Sequence, residues 1–303
     1  MTALHLVVSP YSLCSRDAAA MSAMLLAGQA LTYLPRSLEP AAVSRDVVMG
    51  SIGFRRVMSA VAWATPMLEQ GVLATSIEGE DGAEDFARAR HRIGGEPALS
   101  SLRRFVETRA EPDPQLAIER LARDLTRDGP DPSISVPLAA ALDALAERHA
   151  YAVLRVDGPS LAQRAERARE HMLFGCSVPA LVQASPERVL ETRRRLEPEL
   201  ESLRAACEAC LDGFAEEVAV RDAATDFANA YDRSREHIER PEEDDTDPMV
   251  RSAEIVLTGV AHESDHALAC SALAARRVSR QGLAPASPEN LTARSIIIRL
   301  VGK

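Results

Sequence analysis

The chain has 303 residues, 46% hydrophobic and 26% charged, which is ordinary globular composition with room for one large domain or two smaller ones. Aromatic residues make up only 4%, with Trp63 the sole tryptophan, so Ala, Leu and Val must fill the core, which favours close helix packing over a β-sandwich. A formal net charge of −10 gives a surface that repels phosphate backbones, and a nucleic-acid partner is disfavoured.

The five cysteines, Cys14, Cys176, Cys207, Cys210 and Cys270, are odd in number and mostly embedded in apolar sequence. That is the pattern of reduced thiols and predicts a cytoplasmic protein. The longest apolar run, 18–34, contains Ser22, Gln29 and Thr32 and is too short and too polar to span a bilayer. The amino terminus lacks the basic flank and cleavage site of a secretory signal, so neither export nor a membrane partner is expected.

Residues 4–8 read as a short strand ended by Ser9-Pro10, because proline cannot donate to a ladder and restrains the residue before it. Ser15 is the expected cap of a helix over 16–30, in which Ala20, Met24, Leu25 and Leu31 mark a buried face. A second strand at 31–34, before Pro35, completes a β-α-β opening typical of an α/β domain. No Gly-rich phosphate loop follows the first strand. Residues 40–63 are helical in pattern, 71–77 form a strand or a turn, and 83–127 hold three helices broken by Gly94-Gly95, Pro112 and Pro114. An Ala-rich helix over 137–149 precedes the clearest strand of this half, 151–156.

Ser185-Pro186-Glu187 is a helix start, with Ser at the cap, Pro at the first helical position and Glu near the positive end of the dipole. Leu196, Leu200, Leu203, Cys207, Cys210 and Phe214 follow at spacings of a buried seam, and Val218, Ala224, Phe227, Tyr231 and Ile238 carry a similar stripe onward. Pro198 interrupts the seam, so the helix either kinks there or restarts with Pro198 in its first turn. The run Arg193-Arg194-Arg195, surrounded by glutamates, reads as a solvated mixed-charge face. After an acidic linker at 241–248 come a strand at 253–260, a helix at 264–278, a loop at 282–290 and a strand at 295–301 that is too apolar for an exposed edge.

These elements predict a helix-rich α/β or α+β fold: a small mixed sheet flanked by helices, with a long helical hairpin or bent helix in the C-terminal half. The expected divisions are an α/β domain at 1–180, the helical segment at 185–240, and a β-α-β segment at 249–303 that completes the N-terminal sheet.

Chemistry is sparser. His262 and His266 stand four apart with Glu263 between them, so on one helix they would share a face, with Glu263 as general base of a zinc-bound water and Glu289 as third ligand. Against that, Ser264 or Asp265 would cap a helix, leaving His262 outside it and breaking the register the metal needs. Cys207 and Cys210 have no second pair to complete a zinc site and read as small hydrophobes in the seam. Ser9, Ser12, Cys14 and Cys176 are the candidate nucleophiles, none with an assignable histidine or a G-x-S-x-G elbow. Asp244, Asp245 and Asp247 lack the alternation of a calcium loop. The expected role is therefore that of a scaffold or adaptor that meets a protein partner, or itself, through 185–240, without a cofactor. The alternative is a zinc-dependent, peptidase-like hydrolase acting through 262–266.

Overall fold

The computed structural model describes residues 4–35, 59–77, 142, 145–146, 148–156, 174–182, 184–212, 215–238, 249–258 and 295–300. Among these residues the frame is a seven-stranded sheet. Strands β1 (His5–Val7), β2 (Gln29–Pro35), β3 (Leu73–Ile77), β4 (Ala152–Val156), β5 (Phe174–Val182), β6 (Met249–Thr258) and β7 (Ser295–Leu300) lie in the order β3-β2-β1-β4-β7-β6-β5. The neighbours from β3 to β7 run parallel, while β6 is antiparallel to both β7 and β5. The fold is thus α/β with a mixed sheet. β7, Ser-Ile-Ile-Ile-Arg-Leu, is enclosed between β4 and β6, where both of its backbone edges find partners.

Between β1 and β2 the chain forms two helices, α1 (Pro10–Ser15) and α2 (Ala18–Leu26), where one helix starting at Arg16 was expected. Ser15 does not cap; its hydroxyl donates back to the carbonyls of Tyr11 and Ser12 at 2.9 and 3.2 Å. Arg16 instead adopts the left-handed region, φ 48°, and ends α1 by returning its N–H to Leu13 and Ser12. Asp17 then opens α2, its carboxylate accepting from the Ala20 N–H at 3.0 Å. The helix stops at Leu26 because Gln29 to Leu31 are needed to pair with His5 to Val7.

α2, Ala-Ala-Ala-Met-Ser-Ala-Met-Leu-Leu, has no polar face, and a helix that is apolar all round must be covered all round. Ala20, Met21, Met24 and Leu25 have no exposed surface, and the helix lies against β2, β4, β5 and β7. Its remaining cover includes α4 (Pro186–Arg195), which packs on it, and Arg204 of α5 (Glu197–Leu211), which bonds its last carbonyl; α6 (Glu217–Ile238) follows, and the short α3 (Thr65–Glu69) touches α4.

Ser185 caps α4 by accepting the Arg188 N–H at 3.3 Å, with Pro186 in the first turn. The helix ends at Arg195, and α5 restarts with Pro198 in its own first turn, where the missing N–H is no loss. Leu196, Leu200, Leu203 and Cys207 are buried as the seam spacing requires, but Leu211 takes the next core position and Cys210 is only half-buried. A straight α-helix turns at 3.6 residues, so a 3.5-residue seam drifts off its face within a few turns. On α6 the buried set is Val220, Ala223, Ala224, Phe227, Ala230 and Tyr231; Val218 lies two residues before that phase and points to solvent. α5 and α6 pack on one another, α5 touches β6, and α6 touches β5. The seam's neighbour is therefore this chain's own core.

Candidate functional site

In a parallel sheet the strand ends nearest a reversal of order are where reactive groups gather, and here the order reverses between β1 and β4. The segment after β1 holds Ser9 at the cap of α1 and Ser12 and Cys14 within it. Ser9 is the cap of α1, accepting the Tyr11 N–H at 3.3 Å. Ser12 is buried, and its carbonyl accepts the Asp17 N–H at 3.2 Å as the chain turns from α1 into α2. Burial pushes the Cys14 thiol up to about 11, leaving a thiolate fraction on the order of 10⁻⁴ at pH 7, which is the opposite of activation.

The same turn is stapled from outside. One Arg16 nitrogen donates to the Ala184 carbonyl at 2.8 Å, and its guanidinium carbon sits 5.0 Å from the Trp63 ring centroid. Trp63 Nε1 in turn donates to the Leu13 carbonyl at 3.1 Å. These contacts tie α1 to the segment before α4 and fix this turn, in which the Ser9 hydroxyl serves as a helix cap.

The most concentrated polar arrangement lies at the other end of α2. Arg193 is 8% exposed and donates from one terminal nitrogen to the carbonyls of Met24, Leu25 and Ala27 at 2.8, 3.1 and 2.6 Å, and from the other to Gly28 at 3.4 Å. Arg204, 4% exposed, donates from Nε to the Leu26 carbonyl at 2.7 Å and from a terminal nitrogen to Glu197 at 2.7 Å. A helix C-terminus leaves its last carbonyls unpaired and carries a partial negative charge, so two guanidinium groups satisfy both needs at once. Burial pulls the Arg193 guanidinium down to about 10, with Arg204 acting in the same direction and Glu197 against it.

This clamp was missed in the sequence, where all three consecutive arginines read as one solvated face. Only Arg194 and Arg195 behave so; both are exposed and pair with Glu191. The available signal was phase: Arg193 falls in step with Val189, Leu196 and Leu200, all buried.

At the amino ends of the central strands, the His5 ring packs tilted against Tyr151 at 4.8 Å and His149 against the same ring at 5.4 Å, while the Tyr151 hydroxyl donates to Gln29 Oε1 at 3.3 Å. Gln29 Nε2 continues to the Gly71 carbonyl at 3.3 Å, so the cluster ties β1, β2 and β4 together at their amino ends.

His262, Glu263, His266 and Glu289 lie outside the described residues, as do Cys270, Asp244, Asp245 and Asp247. Cys176 falls within β5. Among the described residues no group of three or more His, Cys, Asp or Glu is placed to hold a metal ion. Cys207 belongs to the core cluster and Cys210 packs at its margin, in keeping with small hydrophobes on a helix interface. Comparison with family models, with curated proteins and with solved structures finds no match for this chain, so its fold and site stand on the geometry alone.

Proposed function

We propose that the protein is an interaction module of scaffold or adaptor type that meets a protein partner, or a second copy of itself, through the outward polar face of 185–240. One observation supports this most. Val218, 55% exposed, is the exposed large hydrophobic among the described residues, and on α6 it shares a face with exposed Arg221, Asp222 and Thr225. An apolar side chain beside charges of both signs is compatible with the polar rim of a protein interface. The buried seam is consumed inside the molecule, so this reading puts the docking face on the opposite side of α6. In this reading the segment is a helical hairpin turning near Asp212-Gly213, and the arginine clamp on α2 holds its first helix in place.

The proposed setting is the cytoplasm, where Cys14, Cys207 and Cys210 stay reduced. The net charge argues against a nucleic-acid partner. Among the described residues no helix is long and apolar enough to cross a membrane. Light scattering over a wide concentration range, with Val218→Glu as the probe, tests the reading. Association weakened by Val218→Glu at unchanged melting temperature supports it; a strict monomer, in which deletion of 185–240 merely unfolds the chain, makes the segment an ordinary core element and ends it.

The second reading, a peptidase-like zinc hydrolase, rests on the spacing of His262, Glu263 and His266, with Glu289 as third ligand and Zn²⁺ as its cofactor. Metal analysis separates it from the first.

A further inference from the structure

β5 is the outermost strand on its side of the sheet among the described residues, and it is nine residues long. Its register against β6 runs without a shift from Phe174↔Leu257 to Val182↔Met249, passing through Pro179↔Ser252. Proline has no N–H, and its ring fills the space on the side its nitrogen faces. In an antiparallel ladder the N–H and C=O of one residue point to the same side, and successive residues alternate sides. A ladder that continues past Pro179 therefore turns that nitrogen away from β6 and toward the outer edge. The same parity turns Gly175, Ser177 and Leu181 outward and assigns Cys176, Val178 and Ala180 to the bonds with β6.

We infer that Pro179 is an edge guard that keeps a second copy of this chain from adding its own β5 to the sheet. The strand, Phe-Gly-Cys-Ser-Val-Pro-Ala-Leu-Val, carries no charge, and an outer strand that is long, apolar and uncharged is a template for pairing. A copy of itself, arriving antiparallel, matches it in length and in apolar pattern. At the centre of the outward row that copy needs a donor, and the proline offers ring methylenes instead.

The test is amide hydrogen exchange on the full chain, joined to light scattering. In the natural protein the amides of Cys176, Val178 and Ala180 are expected to exchange slowly and those of Gly175, Ser177 and Leu181 fast. Pro179→Thr is expected to double the mass in solution and to slow exchange at Ser177 and Leu181. Adding Ser177→Pro, which moves the guard two residues along the same edge, is expected to restore the original mass. Slow exchange at Gly175, Ser177 and Leu181 in the natural protein overturns the inference, because the edge would already be covered. So does a folded Pro179→Thr variant that keeps the original mass. If Pro179→Thr fails to fold, the exchange pattern of the natural protein decides alone.

Discussion

Arg193 and Arg204, on successive helices, grip the same helix end: between them they engage the carbonyls of Met24, Leu25, Leu26, Ala27 and Gly28 without a gap. α4 and α5 are thereby locked to the helix that covers the centre of the sheet, and the lock is made of directional hydrogen bonds inside a mostly apolar layer.

Arg193→Met is expected to cost about 2–4 kcal/mol, because it leaves several buried carbonyls without donors. Arg193→Lys should recover only part of this, since an ammonium is a single point donor where the guanidinium spans two directions. The loss in Arg193→Met with Arg204→Met should fall short of the sum of the two, as both act on one helix end. Urea unfolding curves measure all three, and strict additivity would show that the two arginines do not share the site.

The two-helix opening predicts opposite outcomes for neighbouring residues. Asp17→Ala should lose about 1 kcal/mol, the worth of an N-cap, while Ser15→Ala should stay within about 0.5 kcal/mol because its hydroxyl only bonds back within the last turn of α1. Thermal unfolding of the pair distinguishes this arrangement from a single helix capped by Ser15.

Phe227→Ala, at a fully buried position of α6, should cost about 3–5 kcal/mol, whereas Val218→Ser should change stability by less than about 0.5 kcal/mol. Equal effects at the two positions would place both in the core.

With its thiol pushed up to about 11 from 9.0, Cys14 should be alkylated on the order of a hundredfold more slowly in the folded than in the unfolded chain below pH 9, a difference read by peptide mass spectrometry. The linkage has a definite sign. Between pH 9 and about 11 the folded state holds the thiol proton that the unfolded state has released. This contribution to stability is therefore complete below pH 9 and is lost as pH rises through about 11.

Metal analysis of protein prepared without chelator is expected to find less than one equivalent of zinc, with His262→Ala leaving stability unchanged. A full equivalent of zinc that disappears in His262→Ala and in His266→Ala would make the hydrolase the leading reading.

Local chemistry alone determined a good deal of this protein. Ser185-Pro186-Glu187 marks the start of α4 because cap, proline and dipole act within one turn, and the apolar runs at β1, β4 and β7 announce strands by composition. The net charge and the polarity of 18–34 likewise need no coordinates. Tertiary structure decided what depends on partners distant in the chain. It set the phase of each buried stripe, which put Leu211 inside in place of Cys210 and Val220 inside in place of Val218. It also ended α2 at Leu26, where strand pairing claims the residues that follow. Above all it buried Arg193 while leaving Arg194 and Arg195 in solvent: a charged side chain enters a core only where acceptors wait for it, and those acceptors belong to a helix more than 160 residues earlier in the chain.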